Sequence, residues 1–174
     1  MKKYHIIIVS ILVCILISAC SDLEDTSKEL SITITPVEST ISINEEIQLF
    51  VNITDVSDLF GIAIEIKFDE DLIEVEDEYF TLGSIWDGTQ PITYTNQETG
   101  RLNIAIVLED NVNVQPISRS GKLFSLSFIS VAEGESNLYI DKINLINQAG
   151  NPVEDFDKVV IKNATIIISN ITPL

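Results

Sequence analysis

Carboxylates are the acid–base groups this chain offers in number. They gather at Asp69-Glu70-Asp71, at Glu74, Glu76, Asp77 and Glu78, and at Glu109-Asp110. Two carboxylates about 5 to 9 Å apart would make a glycosidase pair, and several carboxylate oxygens together would suit a hard cation such as calcium. Spacing singles out no pair, and no D-x-[DN]-x-[DN]-G loop with its distal Glu is present. The acids therefore read first as a hydrated anionic surface, and no metal and no cofactor is expected. Nucleophiles are scarcer. The only histidine is His5 and the cysteines are Cys14 and Cys20. Beyond Cys20 there is neither His nor Cys, which excludes a Ser-His-Asp or Cys-His pair, a His-ligated zinc or iron site and an intramolecular disulfide. Tyr79, Trp86 and Tyr94 either offer another chemistry, because flat aromatic faces stack on the apolar faces of sugar rings, or fill the edge of a core or pack a loop.

Cys20 has a use of its own. Lys2 and Lys3 precede an apolar run at residues 6–17, shorter than the roughly 20 residues of a bilayer span, and the segment reads as a secretory signal over residues 1–19. Ile17-Ser18-Ala19-Cys20 matches the bacterial lipobox, in which the Cys is acylated and becomes the mature N-terminus. Burial contributes about 0.8 kcal/mol per methylene and one acyl chain alone binds marginally, so a diacylglyceryl group on Cys20 would give a stable anchor. The expected location is outside the cytoplasm, membrane-anchored, at the outer membrane or cell surface. Ser21 after the Cys favours the outer membrane if the organism has two. Residues 20–29 suit a short flexible spacer and residues 171–174 a tail.

The elements that would position any site must come from the 155 residues left when 19 of the 174 are removed, a length that fits one domain. At 45% hydrophobic and 21% charged, the chain can bury a core. All 27 acids follow Cys20 while Lys2 and Lys3 precede it, so the mature balance is 8 minus 27, or −19. Such a polyanion is a poor nucleic-acid binder.

From Leu30 onward, apolar and polar residues alternate in short stretches: 31–35, 46–54, 62–68, 92–95, 101–108, 122–131, 138–145 and 159–169. The period is two. β-Branched and aromatic residues dominate these stretches, and Asn, Asp, Gly and Pro separate them. Eight or nine strands with no long helix predict an all-β sandwich over residues 30–170. Residues 69–72 could close one turn of helix. Ile62, Ile64, Ile66 and Phe68 share a core face, with Ala63, Glu65 and Lys67 opposite. In 101–108 both faces are apolar: Leu102, Ile104, Ile106 and Leu108 on one, Asn103, Ala105 and Val107 on the other. That fits either a strand covered on both sides or one whose outer face meets a partner.

The run from Phe60 through Val75 (FGIAIEIKFDEDLIEV) resembles the cohesin signature: a Gly-apolar start, an alternating strand, an aromatic-Asp pair and an apolar-apolar-Glu-Val ending. Residues 102–110 (LNIAIVLED), 121–131 (GKLFSLSFISV) and the Gly150 turn follow in the family's order. The resemblance implies a nine-stranded jelly-roll β-sandwich related to carbohydrate-binding modules. It also implies a non-catalytic surface that recognises a calcium-loaded dockerin on polysaccharide-degrading enzymes. Dockerin recognition in that family uses one sheet face. Ile106 and Glu109 match positions where the family places an apolar and an acidic contact, whereas Gly61 and Ala63 fall where the best-known class carries Asn and Asp. The expected partner-binding set is Ala63, Glu65, Lys67, Ile104, Ile106 and Glu109. The other readings are direct polysaccharide binding by Tyr79, Trp86 and Tyr94 and, ranked lower, a lipid-anchored glycosidase.

Overall fold

Period-two stretches rich in Ile, Val and Phe form strands because their branched side chains fit a pleated surface with one face buried. The computed structural model describes residues 29–109 and 114–170. The signal segment, Cys20, most of the spacer, Asp110 and the tail at 171–174 lie outside the described residues. Eleven strands follow in chain order: β1 (Ser31–Thr35), β2 (Glu38–Ile41), β3 (Glu46–Thr54), β4 (Gly61–Lys67), β5 (Ile73–Leu82), β6 (Pro91–Glu98), β7 (Arg101–Leu108), β8 (Gly121–Ser130), β9 (Gly134–Ile146), β10 (Val160–Lys162) and β11 (Ala164–Ile168). Single 3₁₀ turns lie at Ser84–Trp86 and Phe156–Lys158. Residues 69–72 close one turn, in which the Leu72 and Ile73 amides donate to the Asp69 carbonyl at 3.2 and 3.0 Å.

One sheet has the order β10-β1-β3-β8-β5 and the other β2-β11-β9-β4-β7-β6. Nearly all pairs are antiparallel. The exceptions join the chain's two ends: β1 pairs with β10, and β2 with β11, in parallel. The segment from Leu30 to Ile41 and the segment from Val160 to Ile168 thus run side by side and cross together from the first sheet to the second. The resemblance implied nine strands; the 159–169 stretch divides at Asn163, and β2 adds a short edge strand. The Asn163 side-chain carbonyl accepts from the Ile140 amide at 3.1 Å, filling a place in the ladder where the strand changes sheets.

Between the sheets lies one core. Leu49, Val51 and Ile53 of β3 and Phe124, Leu126 and Phe128 of β8 face Ile62, Ile64 and Ile66 of β4 and Leu102, Ile104 and Ile106 of β7, all buried. Phe68 meets Phe128 edge-on, centroids 5.3 Å apart at 66°, the arrangement the ring quadrupoles favour. Leu123, on the opposite side of β8 from Phe124, is buried too, because the Ser84–Trp86 turn folds over it. The tight turns use Asn44, Asp55, Asp58 and Asp155, all at positive φ between 53° and 63°. Asn and Asp tolerate this region better than other side chains with a Cβ.

A candidate docking face on the six-stranded sheet

The outer face of β6, β7, β4 and β9 is built by register. Directly opposed residues in antiparallel strands point to the same side, so the pairing generates four rows across the sheet. The first is Ile92, Val107, Gly61 and Ile146; the second is Tyr94, Ala105, Ala63 and Asn144. The third is Asn96, Asn103, Glu65 and Lys142, and the fourth is Glu98, Arg101, Lys67 and Tyr139. Along the strands the face therefore changes from apolar through small to charged.

At the apolar end, Val107 and Ile146 close over Gly61. A Cβ on Gly61 would stand 3.2–3.3 Å from their side-chain carbons, so the absence of a side chain lets the two pack together. In the second row, two alanines lie beside Tyr94, which is 63% exposed. The result is a shallow depression of about 540 Å³ bordered by Tyr94, Asn103, Lys142 and Asn144, with Ala63, Ala105 and Glu65 among its lining.

At the charged end, Glu65 is buried and three cations surround it. Lys142 Nζ lies 3.1 Å from Oε2, while Arg101 Nε and Lys67 Nζ lie 3.5 and 3.9 Å from Oε1. Among the described residues none donates a hydrogen bond to Oε1. Lys67 also donates to Asp141 at 2.7 Å, and this hydrogen bond holds the Asp141 carboxyl below its ordinary value and the Lys67 ammonium above its own. A β-bulge makes the cluster. The β4–β9 register shifts between Glu65 and Ile66, which pair with Lys142 and Ile140. The extra residue lets Asp141 and Lys142 both reach the outer side, one to Lys67 and the other to Glu65.

The structure brings Ala63, Glu65 and Lys67 onto this face as expected from their alternation. Ile104 and Ile106 are corrected: they are 2% and 1% exposed and point into the core. Ala63 is opposite Ala105, and Ile62 is opposite Ile106, so the outward residues of β7 are Arg101, Asn103, Ala105 and Val107. Both phases of β7 are apolar, and the bulkier set fills the core. Glu109 is exposed one residue past β7 and lines a separate cleft with Gly88, Thr89, Gln90, Val114 and Gln115.

The aromatic platform is also corrected. Trp86 is buried, and its Nε1 donates to the Leu123 carbonyl at 2.8 Å. Tyr79 is partly buried on β5, in the other sheet, while Tyr94 stands alone on β6. Among the described residues no three carboxylates converge as a metal site. Arg101, Asn103, Ala105 and Val107 were legible as the alternate phase of the same stretch. Lys142 and Asn144 were not, since their facing depends on the bulge.

No family model and no curated protein matches the chain. Its backbone does match solved structures. A non-cellulosomal cohesin from the archaeon Archaeoglobus fulgidus superposes with a TM-score of 0.64 at 22% identity, covering 81% of this chain and 91% of that one. This is the cohesin fold. The sixth cohesin of scaffoldin B from Acetivibrio cellulolyticus, solved in complex with a dockerin, gives 0.65 at 18% identity over 81% of this chain and 99% of its own. A type I cohesin–dockerin complex from Clostridium thermocellum gives 0.65 at 12% identity, over 86% and 99%. Within this cohesin fold the all-β jelly-roll expectation holds, and the four-row face is the outer surface of one of its two sheets.

Proposed function

We propose that this chain is a non-catalytic binding module that captures a partner protein, a dockerin-bearing polysaccharide-degrading enzyme, on the outer face of β6, β7, β4 and β9. We further propose that acylated Cys20 holds the module outside the cytoplasm, at the outer membrane or cell surface. The observation that carries the reading is that no described residue covers this face. Ile92 and Tyr94, two of the five large hydrophobic residues exposed among those described, stand side by side on it next to the depression at Ala63 and Ala105, and an apolar patch of this kind suits an interaction surface. Similar solved structures include cohesins bound to dockerins, which supports the choice of partner. A rigid two-sheet scaffold presents the face preformed, so docking orders few additional groups.

The test is calorimetric titration of the purified chain with a panel of calcium-loaded dockerin domains. Binding by at least one member, lost in Ala63→Arg with the melting temperature retained, is the expected result. Failure of every dockerin to bind refutes the partner, and binding indifferent to Ala63→Arg refutes the face. Labelling of cells with radioactive palmitate, abolished by Cys20→Ala, tests the anchor; an unlabelled wild-type chain overturns it.

A further inference from the structure

The docking face departs in charge from the chain that carries it. The sequence has 27 acidic and ten basic residues, and three of those ten, Lys67, Arg101 and Lys142, converge on Glu65. Their side chains are 29%, 38% and 71% exposed, whereas that of Glu65 is 9% exposed. The carboxylate therefore forms the floor, and above it lie Arg101 and Lys142 together with Lys67, which Asp141 pairs at 2.7 Å. Arg101 has donors to spare: Glu65 and Glu98 approach it only at 3.5 and 4.0 Å, beyond good hydrogen-bond geometry. Lys142, the most exposed of the three, bonds to Glu65 alone among the described residues.

Resting on the docking reading above, we infer that the partner presents an acidic side chain to Arg101 and Lys142, next to a small or apolar residue seated over Ala63 and Ala105. Asp141 occupies Lys67 at 2.7 Å, which leaves Arg101 and Lys142 sharing the buried Glu65, and a partner cation would crowd these two. A partner carboxylate would instead take up the free guanidinium donors, in the bidentate geometry Arg favours. This end of the face, where Lys67, Arg101 and Lys142 balance Glu65, Asp141 and Glu98, is neutral while the chain as a whole carries −17, so an acidic partner meets less repulsion here. Charge thereby fixes both the location and the orientation of docking.

The experiment displays a dockerin domain as a library randomised at its exposed helix positions, selects it against the full chain, and measures the affinity of the selected domains. Selected binders are expected to carry Asp or Glu at one shared position. Changing that residue to Asn or Gln, or making Arg101→Glu or Lys142→Glu in this chain, should each weaken binding about tenfold or more, the order seen for desolvated interfacial charge pairs. Introducing Lys at the partner position should restore binding to the Arg101→Glu chain. Lys142→Gln, which removes the charge without reversing it, guards against misfolding and should give a smaller loss. Binders enriched in Lys or Arg, or affinities unmoved by Arg101→Glu and Lys142→Glu, overturn the inference while leaving the docking face in place. A library that yields no binder refutes the docking reading and this inference with it.

Discussion

Neighbouring residues on β7 should behave as if they belonged to different proteins. Ile106 is 1% exposed and packs within the core, whereas Ala105 faces outward between Tyr94 and Ala63. Ile106→Ala removes three buried carbons and leaves a cavity, which costs about 2–5 kcal/mol, a large share of the roughly 5–15 kcal/mol that holds a domain together. At about 2–4 °C per kcal/mol for a domain of this size, the melting temperature should fall by about 4–20 °C. Ala105→Arg adds an outward side chain and should change stability by no more than about 0.5 kcal/mol, or about 2 °C by the same conversion. Thermal melts followed by circular dichroism measure both, and dockerin titration of the same preparations reads the face. Ala105→Arg should lose binding with an unchanged melt. If Ile106→Ala instead melts with the wild type and loses binding, or Ala105→Arg unfolds, the inward assignment of Ile106 is wrong.

Gly83 tests a close approach. A Cβ there would lie 2.0 Å from the Lys122 carbonyl oxygen and 2.4 Å from its carbon, both backbone atoms, so Gly83→Ala should break the 2.9 Å bond from the Gly83 amide to the Leu123 carbonyl. A loss of at least about 2 kcal/mol is expected, and a urea midpoint equal to wild type would count against it. Lys67 and Asp141 test the charged rows. The lowered Asp141 value means its contribution is present above the unfolded value of 3.8 and is lost as pH falls through the folded one, while the raised Lys67 value keeps its contribution below 10.5 and loses it as pH rises through the folded value. Carboxyl NMR should find the Asp141 midpoint below 3.8 in the wild type and higher in Lys67→Met; coincident midpoints would show that the pair does not form in solution.

How far the sequence carried can be judged strand by strand. β3 and β4 were visible because one phase of each is apolar and the other largely polar, and alternation records that burial directly; β7 was visible as a run rich in Ile, Leu and Val. β5 was not recognised as a strand. Its sequence IEVEDEYFTL holds four acids, and its pairing to β8 shifts register between Val75 and Phe80, so alternation breaks in its middle. β2 has only four residues, two of them exposed, and it depends on β11 for pairing, a long-range contact that no local pattern announces. At the site, β4 disclosed its outward residues. β7 did not, because apolar residues occupy both phases and only packing decides which turns inward. Trp86 read either as a stacking platform or as loop packing, and the fold decides for packing: its loop closes over Leu123 and the indole N–H finds that residue's carbonyl. The bulge at Asp141 and Lys142 has no sequence signal of its own, yet it sets the polarity of the face.

The paired crossing of the two chain ends bears on how this molecule comes apart. Because β1 and β10 belong to one layer and β2 and β11 to the other, each terminal segment works as a thread sewn through both layers. Separating the layers means breaking the β1–β10 or the β2–β11 pairing, so the seam should couple the opening of one layer to that of the other. Hydrogen exchange should then find the deep amides of β1 and β11 opening together despite lying in different sheets.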